Sequence, residues 1–237
     1  MRSVYLLTLR QLSGRWRLLI MTALASFPVI MAVLTLRDDD APTVADFEQV
    51  VFSAMLAGSI LPLVVLAIAG AAFSNEIEDR TIANLTLAPI PRWQIVLPKL
   101  LATISIAAPF IAVSAFLTTH VAFIGDTRAT VAVVVASLVA VAMYASAFVW
   151  LGLVSTQAIG LGLLYIVLWE GLFSGFVSGV RLLSIRHFSI GLMHGLDPRR
   201  FANGSHLGFV PVIIICALVF TAFLWMSVRR LRRMDIP

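Results

Sequence analysis

Three acids and two arginines lie between two long apolar runs at residues 74–93, which read SNEIEDRTIANLTLAPIPRW. Asn75 and Glu78 approximate a helix-capping box, so we expect a helix to begin there. Its first turn contains the acids Glu76, Glu78 and Asp79, where the helix macrodipole favours negative charge. A simple hairpin between membrane spans needs none of these charges. The stretch therefore predicts a contact surface for another molecule.

The end of the same stretch returns the chain to the membrane. Glu76 can pair with Arg80 one helical turn later. Pro89 disfavours helical geometry at the residue before it, so the predicted helix should end there. Arg92 suits the headgroup layer, where the next apolar run begins.

A second candidate for chemistry is Glu170, the one ionisable residue well inside a predicted span. A charged acid at the bilayer centre costs roughly 2.5–3.5 kcal/mol, so this side chain should face protein or water. It could line a substrate pathway, or it could lock two helices together through hydrogen bonds, and the sequence leaves both readings open. The glycines that follow at four-residue intervals permit close approach of another helix, from this chain or from a second copy. They are Gly171, Gly175 and Gly179.

Residues typical of catalysis or metal binding form no known motif in this sequence. His-Glu-x-x-His, Gly-x-Ser-x-Gly and the phosphate-cradling Gly-rich loop with its Lys are all absent. His187, His194 and His206 have no paired metal-ligand spacing, so we interpret them as interfacial or solvated. The aspartates at 38–40 read as a solvated turn, and Cys216 has no internal disulfide partner. We therefore expect no catalytic residue, metal or cofactor in this chain.

The composition places the chain in the membrane. It has 237 residues, 60% hydrophobic and only 12% charged, with a mean hydropathy of +1.00. A soluble domain normally has about a quarter of its residues charged. The net charge of +5 is no nucleic-acid signal, because the arginines cluster at the ends of apolar runs.

Six apolar runs approach or exceed the roughly 20 residues that a helix needs to cross the hydrocarbon. A membrane β-barrel would instead show segments of about ten residues with alternating polarity, which these runs lack. Helices satisfy their backbone hydrogen bonds internally. We therefore predict an all-α integral membrane protein with a single domain, 1–237. The predicted spans are residues 18–36, 51–73, 95–124, 129–154, 158–179 and 209–228.

Two amphipathic helices are predicted outside the spans. Residues 1–17 place apolar and basic side chains on opposite sides, which suits a helix on the membrane surface. The connection after the fifth span has the same character, and we expect a second interfacial helix there on the outer side. The first apolar face comprises Tyr5, Leu9, Leu12 and Trp16, opposite Arg2, Arg10 and Arg17; the second comprises Leu182, Ile185, Phe188 and Leu192, with Arg181, Arg186 and His187 elsewhere.

The distribution of basic residues predicts the orientation. Eleven of the 17 Lys and Arg residues lie in the N-terminal segment, the connection between spans two and three, and the C-terminal RRLRR. The positive-inside rule therefore places both termini in the cytoplasm. The connection at 74–93 is then cytoplasmic as well.

The sequence resembles the six-span permease subunits of type-2 ABC transporters, which are mostly bacterial exporters. NEIEDRTIANLTLAPIPRWQIVLPKLLA resembles the family pattern of spaced acids, Thr-Ile, Pro-x-x-Arg and a Lys at the third span. LLYIVLWEGLFSG followed by RLLSIRHF is similar to permeases of nitrous-oxide-reductase maturation. One departure is Arg80, which stands where the family pattern usually has Gly.

The resemblance implies a function and a set of partners. Two permease chains, expected as a homodimer, would bind two ATP-binding subunits that hold ATP and Mg, in a bacterial inner membrane. ATP-driven closure would rock the bundles and export a substrate, with Glu170 on the pathway, and an accessory protein is a further expected partner. Lys99 would bracket the hinge of the cytoplasmic coupling helix. The residues implied in contact with the ATP-binding subunit are Glu76, Glu78, Asp79, Arg80, Thr81 and Arg92.

Two other functions are considered. A membrane anchor that recruits an ATPase without transport usually has a large external domain, which this chain lacks. An intramembrane hydrolase would need Glu76 and Glu78 together with His120 or His187. The adjacent glutamates expected of prenyl-protease-like enzymes are separated here by Ile77.

Overall fold

The computed structural model describes residues 2–35, 43–73, 91–173, 184–201 and 208–233. In these residues every regular element is helical, as the apolar runs predict. The helices are α1 (Arg2–Leu12), α2 (Arg15–Thr35), α3 (Phe47–Phe73), α4 (Trp93–Ala122), α5 (Thr127–Val154), α6 (Ala158–Gly171), α7 (Ile185–Leu196) and α8 (Phe209–Arg233).

Five of the described helices, α2, α3, α4, α5 and α8, are long and apolar enough to cross a membrane. The shorter α6 occupies the first part of the predicted span 158–179, and residues 174–179 lie outside the described part of the chain. The all-α membrane fold is thus confirmed. Two stretches, Phe47–Ile60 of α3 and Tyr165–Phe173 after the start of α6, wind as π-helix rather than α-helix.

Helix α5 forms the centre of the bundle and packs against α3, α4, α7 and α8. Small residues on α5 are fully buried and allow the neighbouring helices to come close. A Cβ atom added at Gly152 would lie 3.1 Å from the carbonyl oxygen of Gly70 on α3, so these helices nearly touch through their backbones. At Gly162 on α6, an added Cβ would overlap the side chain of Leu66 on α3.

The predicted N-terminal helix is shorter than expected. Helix α1 ends at Leu12, and Trp16 belongs to α2, where it is 70% exposed. Trp16, predicted to share one apolar helix face with Tyr5, Leu9 and Leu12, therefore lies on the next helix. The chain turns at Ser13 and Gly14, where the Ser13 hydroxyl donates to the carbonyl oxygen of Leu9 at 2.6 Å.

The two ends of the bundle are formed by different helices. Helix α7 lies beside the turn between α4 and α5, where Phe47 and Phe201 both contact the ring of Phe123. We call this the α7 end. Helix α8 starts there, since a side chain at Gly195 would overlap Phe209, and runs about 36 Å away from it.

Helix α1 lies in the other half of the bundle. The Tyr5 hydroxyl donates to Ser105 Oγ at 3.0 Å, and Ser105 is about 27 Å along α4 from Phe123. The end that holds α1, the start of α4 and the close of α8 is called the terminal end. Successive long helices run in opposite directions between the two ends of the bundle, so both ends of the described chain lie at the terminal end.

Helix α7 lies where the sequence predicts it, but it is more buried than a helix resting at the membrane interface would be. Ile185, Phe188 and Leu192, three residues of its predicted apolar face, are buried in the bundle, and the helix packs against α5, α8 and the π-wound part of α3. Arg186, predicted to lie off this apolar face, turns toward α3, where its guanidinium reaches Ser53. His194 is also buried and contacts Glu48, so the solvated interpretation of this histidine is wrong.

Candidate functional site

The structure places Glu170 at the contact between α3, α6 and α7. Its side chain is fully buried, although it lies in a membrane-spanning segment. The carboxyl group points toward the start of α7 rather than to lipid, which avoids the cost of a charge in hydrocarbon. A buried carboxylate requires hydrogen-bond donors, and the described residues supply three of them.

The three donors are two side-chain hydroxyls and one backbone N–H. The Ser184 hydroxyl donates to Oε2 at 2.5 Å, and the backbone N–H of Ile185 donates to Oε1 at 3.1 Å. The Tyr165 hydroxyl, one helical turn before Glu170, donates to Oε1 at 3.0 Å. The carboxylate therefore joins α6 to the first residues of α7.

The position of the carboxylate at the start of α7 is favourable in itself. The first N–H groups of a helix have no intrahelical acceptor, and the positive end of the macrodipole attracts negative charge. Ser184 is the N-cap residue of α7 and accepts from the N–H of His187 at 3.2 Å. One hydroxyl thus caps the helix and binds Glu170, so the two functions of Ser184 depend on each other.

Arg186 extends the same cluster to α3. Its Nη1 donates to the backbone carbonyl oxygen of Glu170 at 3.2 Å. Its Nε and Nη2 donate to Ser53 Oγ at 3.1 and 2.8 Å. The guanidinium passes close to Gly58, where an added Cβ would lie 3.3 Å from the Arg186 Cδ. Glycine at position 58 therefore lets the arginine lie against the backbone of α3.

Aromatic side chains surround the cluster on the side of α5. Tyr144 is fully buried and stacks on Phe148, whose ring also contacts Tyr165. The ring of Tyr165 also forms part of the wall of a cavity of about 380 Å³ between α5, α6 and α8. Trp150, Trp169 and Phe223 line the same cavity, which is of a size and apolar character that suits an apolar group.

The glycines that follow Glu170 are only partly described. Gly171 is exposed, and an added Cβ there would meet only the carbonyl oxygen of Ile166 at an ordinary 3.6 Å. Gly175 and Gly179 lie outside the described residues. The close packing predicted for this glycine series stays a prediction, whereas Gly162, which the sequence analysis does not single out, makes a tight contact with α3.

The residues that sequence analysis misses are Ser53, Gly58, Ser184 and Arg186. Ser184 had a detectable signal, because a serine before an amphipathic segment is a typical N-cap. Arg186 had no such signal, because it lies next to the apolar residue Ile185 in the sequence and its acceptor, Ser53, is 133 residues away. A single sequence contains no information on such a distant pair.

The second predicted site is described only at its edges. The predicted contact residues Glu76, Glu78, Asp79, Arg80 and Thr81 lie outside the described part of the chain.

The residues on either side of that segment are held together. Lys99 on α4 is almost fully buried, and its Nζ donates to the carbonyl oxygen of Ala72 at 2.7 Å. The same ammonium lies 4.3 Å from the ring centroid of Phe73. Arg92 is half-buried at the start of α4, where its carbonyl oxygen accepts from the N–H groups of Ile95 and Val96. Lys99 thus ties the end of α3 to the start of α4.

The histidines considered for a metal site or a hydrolase do not come together. His120 stacks on Phe116 with ring centroids 5.6 Å apart, and His194 contacts Glu48. Within the described ranges, no group of three or more His, Cys, Asp or Glu side chains could hold a metal ion. His206 lies outside these ranges, and the glutamates of the hydrolase hypothesis lie outside them as well.

The model of the family described as ABC-2 family transporter protein matches residues 7–182, most of the chain. No curated protein matches the chain significantly. The matched region runs from α1 to the residues just before α7, and so includes Glu170 and the connection between α3 and α4. The resemblance to a transporter permease is confirmed, whereas similarity to nitrous-oxide-reductase maturation permeases stays a prediction. The chain belongs to the ABC-2 family of transporter membrane proteins.

Proposed function

We propose that this chain is the permease subunit of an ATP-driven exporter of the bacterial inner membrane, working with a separate ATP-binding subunit. Two copies of the chain would pair and bind two ATP-binding subunits. ATP and Mg would be held by those partners. Transport would proceed by alternating access, with the two bundles rocking against each other. The family makes the chain a transporter membrane component, and the following observations support the finer proposal.

The observation that carries the proposal is the Lys99 contact at the terminal end. It fixes the end of α3 and the start of α4 relative to each other, on either side of the charged stretch 74–90. A force applied to that stretch would therefore reach both helices at once. This is the property expected of a segment that receives the movement of an ATP-binding subunit.

The charge distribution supports a cytoplasmic position for this end. The described basic residues concentrate here, while Arg128, Arg186, Arg199 and Arg200 lie in or near the α7 end. By the positive-inside rule, this distribution supports a cytoplasmic position of the terminal end, on the side where ATP is available. The basic residues of the terminal end are Arg10, Arg15, Arg17, Arg92, Lys99, Arg229, Arg230, Arg232 and Arg233.

The contacts of Glu170 favour a positioning role over direct substrate binding. Its carboxylate already accepts three hydrogen bonds from the same chain and is fully buried. A substrate group would have to displace Ser184, Ile185 or Tyr165 to reach it. We therefore assign Glu170 to the junction of α6 and α7, and a pathway role would require that this junction opens.

The test uses the full chain with the ATP-binding subunit that co-purifies with it, reconstituted in liposomes. The variant Glu78→Gln/Arg80→Gln should weaken binding of that subunit and abolish the effect of the permease on its ATPase rate. Membrane insertion should be unchanged, because neither residue lies in a span. Binding is measured by co-purification, and the ATPase rate by phosphate release.

The matched control is Asp126→Asn/Arg199→Gln, which also removes one acid and one arginine but at the α7 end. It should leave partner binding and the ATPase rate as in the unaltered chain. Equal partner binding by Glu78→Gln/Arg80→Gln and the unaltered chain would refute the contact. Failure of any ATP-binding subunit to co-purify would refute the proposed function.

A further inference from the structure

Seven arginines at the terminal end, in two groups, are not used by the proposed mechanism. Three lie at the elbow where α1 meets α2, and four lie in the last two turns of α8. All except Arg17 are exposed. We call these residues the terminal arginine surface: Arg10, Arg15, Arg17, Arg229, Arg230, Arg232 and Arg233.

The described acids lie elsewhere in the molecule. Asp46, Glu48, Asp126 and Asp197 are all at the α7 end, and Glu170 is inside the bundle. The described ion pairs likewise join residues of the α7 end, such as Arg128 with Asp197, Arg200 with Asp126, and His194 with Glu48. Within the described residues, the terminal arginine surface therefore has a positive charge that no carboxylate neutralises.

Exposed tryptophans lie within both parts of this surface. Trp16, between Arg15 and Arg17, is 70% exposed, and Trp225 is 59% exposed. The guanidinium of Arg229 lies 5.0 Å from the ring centroid of Trp225. Tryptophan is enriched where membrane and water meet, with its ring at the level of the headgroups.

Helix α1 exposes apolar side chains beside the elbow. Its Leu6 and Leu7 side chains are 48% and 62% exposed, next to the exposed guanidinium of Arg10. On the opposite side, Tyr5 binds α4 and Thr8 and Leu12 are buried. A helix with one side on the protein and exposed leucines on another is suited to lie in the lipid interface.

We propose that the terminal arginine surface binds the phosphate groups of anionic phospholipids. The guanidinium presents a planar set of donors that matches phosphate oxygens, and clusters of four or more basic residues beside a span attract anionic lipids. The exposed tryptophans and leucines favour a lipid over a protein partner, because they need an apolar neighbour beside the charges. This inference does not depend on the ATP-binding subunit.

The experiment titrates the purified full chain, in neutral detergent, with dansyl-labelled phosphatidylglycerol or dansyl-labelled phosphatidylcholine. Binding is read as energy transfer from tryptophan to dansyl. The unaltered chain should bind phosphatidylglycerol at least tenfold more tightly than phosphatidylcholine, and added salt should reduce the difference. The variants Arg10→Gln/Arg15→Gln/Arg17→Gln and Arg229→Gln/Arg230→Gln/Arg232→Gln/Arg233→Gln should each reduce this preference severalfold, while phosphatidylcholine binding stays constant and reports an intact fold.

The charge-matched control for the elbow variant is Arg128→Gln/Arg199→Gln/Arg200→Gln at the α7 end, which should keep the preference. An equal loss in this control would mean that only net charge matters, and would overturn the site. Inorganic phosphate at millimolar concentration should not compete, and full competition would identify a phosphate site instead of a lipid site. Variants that keep the lipid preference but lose the ATP-binding subunit would assign the surface to that protein and refute the proposal.

Discussion

Removal of the Glu170 carboxylate should loosen the start of α7 far more than any other part of the bundle. In Glu170→Ala, the Tyr165 hydroxyl, the Ser184 hydroxyl and the N–H of Ile185 all lose their acceptor. Ser184 is also fully buried, and the loss of its partner frees the hydroxyl that caps α7. The effect should therefore begin at the junction between α6 and α7.

The structure gives a lower limit for the size of the effect. A buried donor that loses its partner costs about 1–3 kcal/mol. The donors on Ser184 and Ile185 are buried and the Tyr165 hydroxyl is half-buried, so the loss is at least about 2 kcal/mol. Since 1.4 kcal/mol corresponds to a tenfold change in an equilibrium constant, local opening should become about thirtyfold or more frequent. Glu170→Gln keeps a carbonyl oxygen as an acceptor, and its effect should be clearly smaller.

Hydrogen exchange followed by mass spectrometry measures this opening directly. Peptides that cover the first turns of α7 should exchange faster in Glu170→Ala, while peptides from the middle of α4 should be unaffected. The control is Ser137→Ala, which removes a fully buried hydroxyl whose bond is to Val133 in its own helix α5. Exchange in α7 that is equal in Glu170→Ala and the unaltered chain would show that the carboxylate does not hold this junction.

Two further predictions concern the terminal end and the start of α3. Lys99→Met removes the hydrogen bond to Ala72 and the contact with Phe73. Because a hydrogen bond from a charged group contributes roughly 1.5–3 kcal/mol, the apparent Tm in detergent should fall by several degrees. An unchanged Tm, measured by tryptophan fluorescence, would show that Lys99 does not hold α3 and α4 together. The hydroxyl and N–H of Thr43 both donate to Asp46 and lower the pKa of its carboxyl group, so the contact should be present above the ordinary carboxyl pKa and lost as the pH falls through the lowered value. Thr43→Ala should therefore raise the pKa of Asp46, measured by a carbon-13 titration of the carboxyl group. An equal pKa of Asp46 in the variant and the unaltered chain would refute this cause.

The membrane helices could be predicted from the sequence because lipid imposes a simple rule on composition. A span needs a continuous apolar run, and the predicted limits of the second, third and fourth spans agree with the structure within four residues. The last helix continues to Arg233, five residues past the predicted span, because nothing in the hydropathy marks where a helix leaves the hydrocarbon. The π-winding of Phe47–Ile60 was not predictable either, since an apolar run is compatible with both kinds of helix.

The site could be predicted only in part. Glu170 was identifiable because an acid in a span is costly and requires a partner. The identity of that partner depends on how α7 packs against α3, which the amphipathic pattern of α7 does not specify. The pattern placed Arg186 on a polar side, yet the Ser53 hydroxyl and the space at Gly58 make an inward direction favourable. Charged side chains in a membrane protein can therefore face the bundle even when their helix is amphipathic.

The contacts of α3 connect the two candidate sites. Near one end of this helix, Ser53 accepts from Arg186, and near the other end, Ala72 accepts from Lys99. Between them, Gly70 and Leu66 pack so closely against α5 and α6 that α3 has little room to slide independently. On the proposed function, a displacement of the 74–90 segment by an ATP-binding subunit would reach α3 through its Lys99-bound end. The helix would then transmit it to Arg186 and the start of α7, and the junction held by Glu170 would decide whether the α7 end follows.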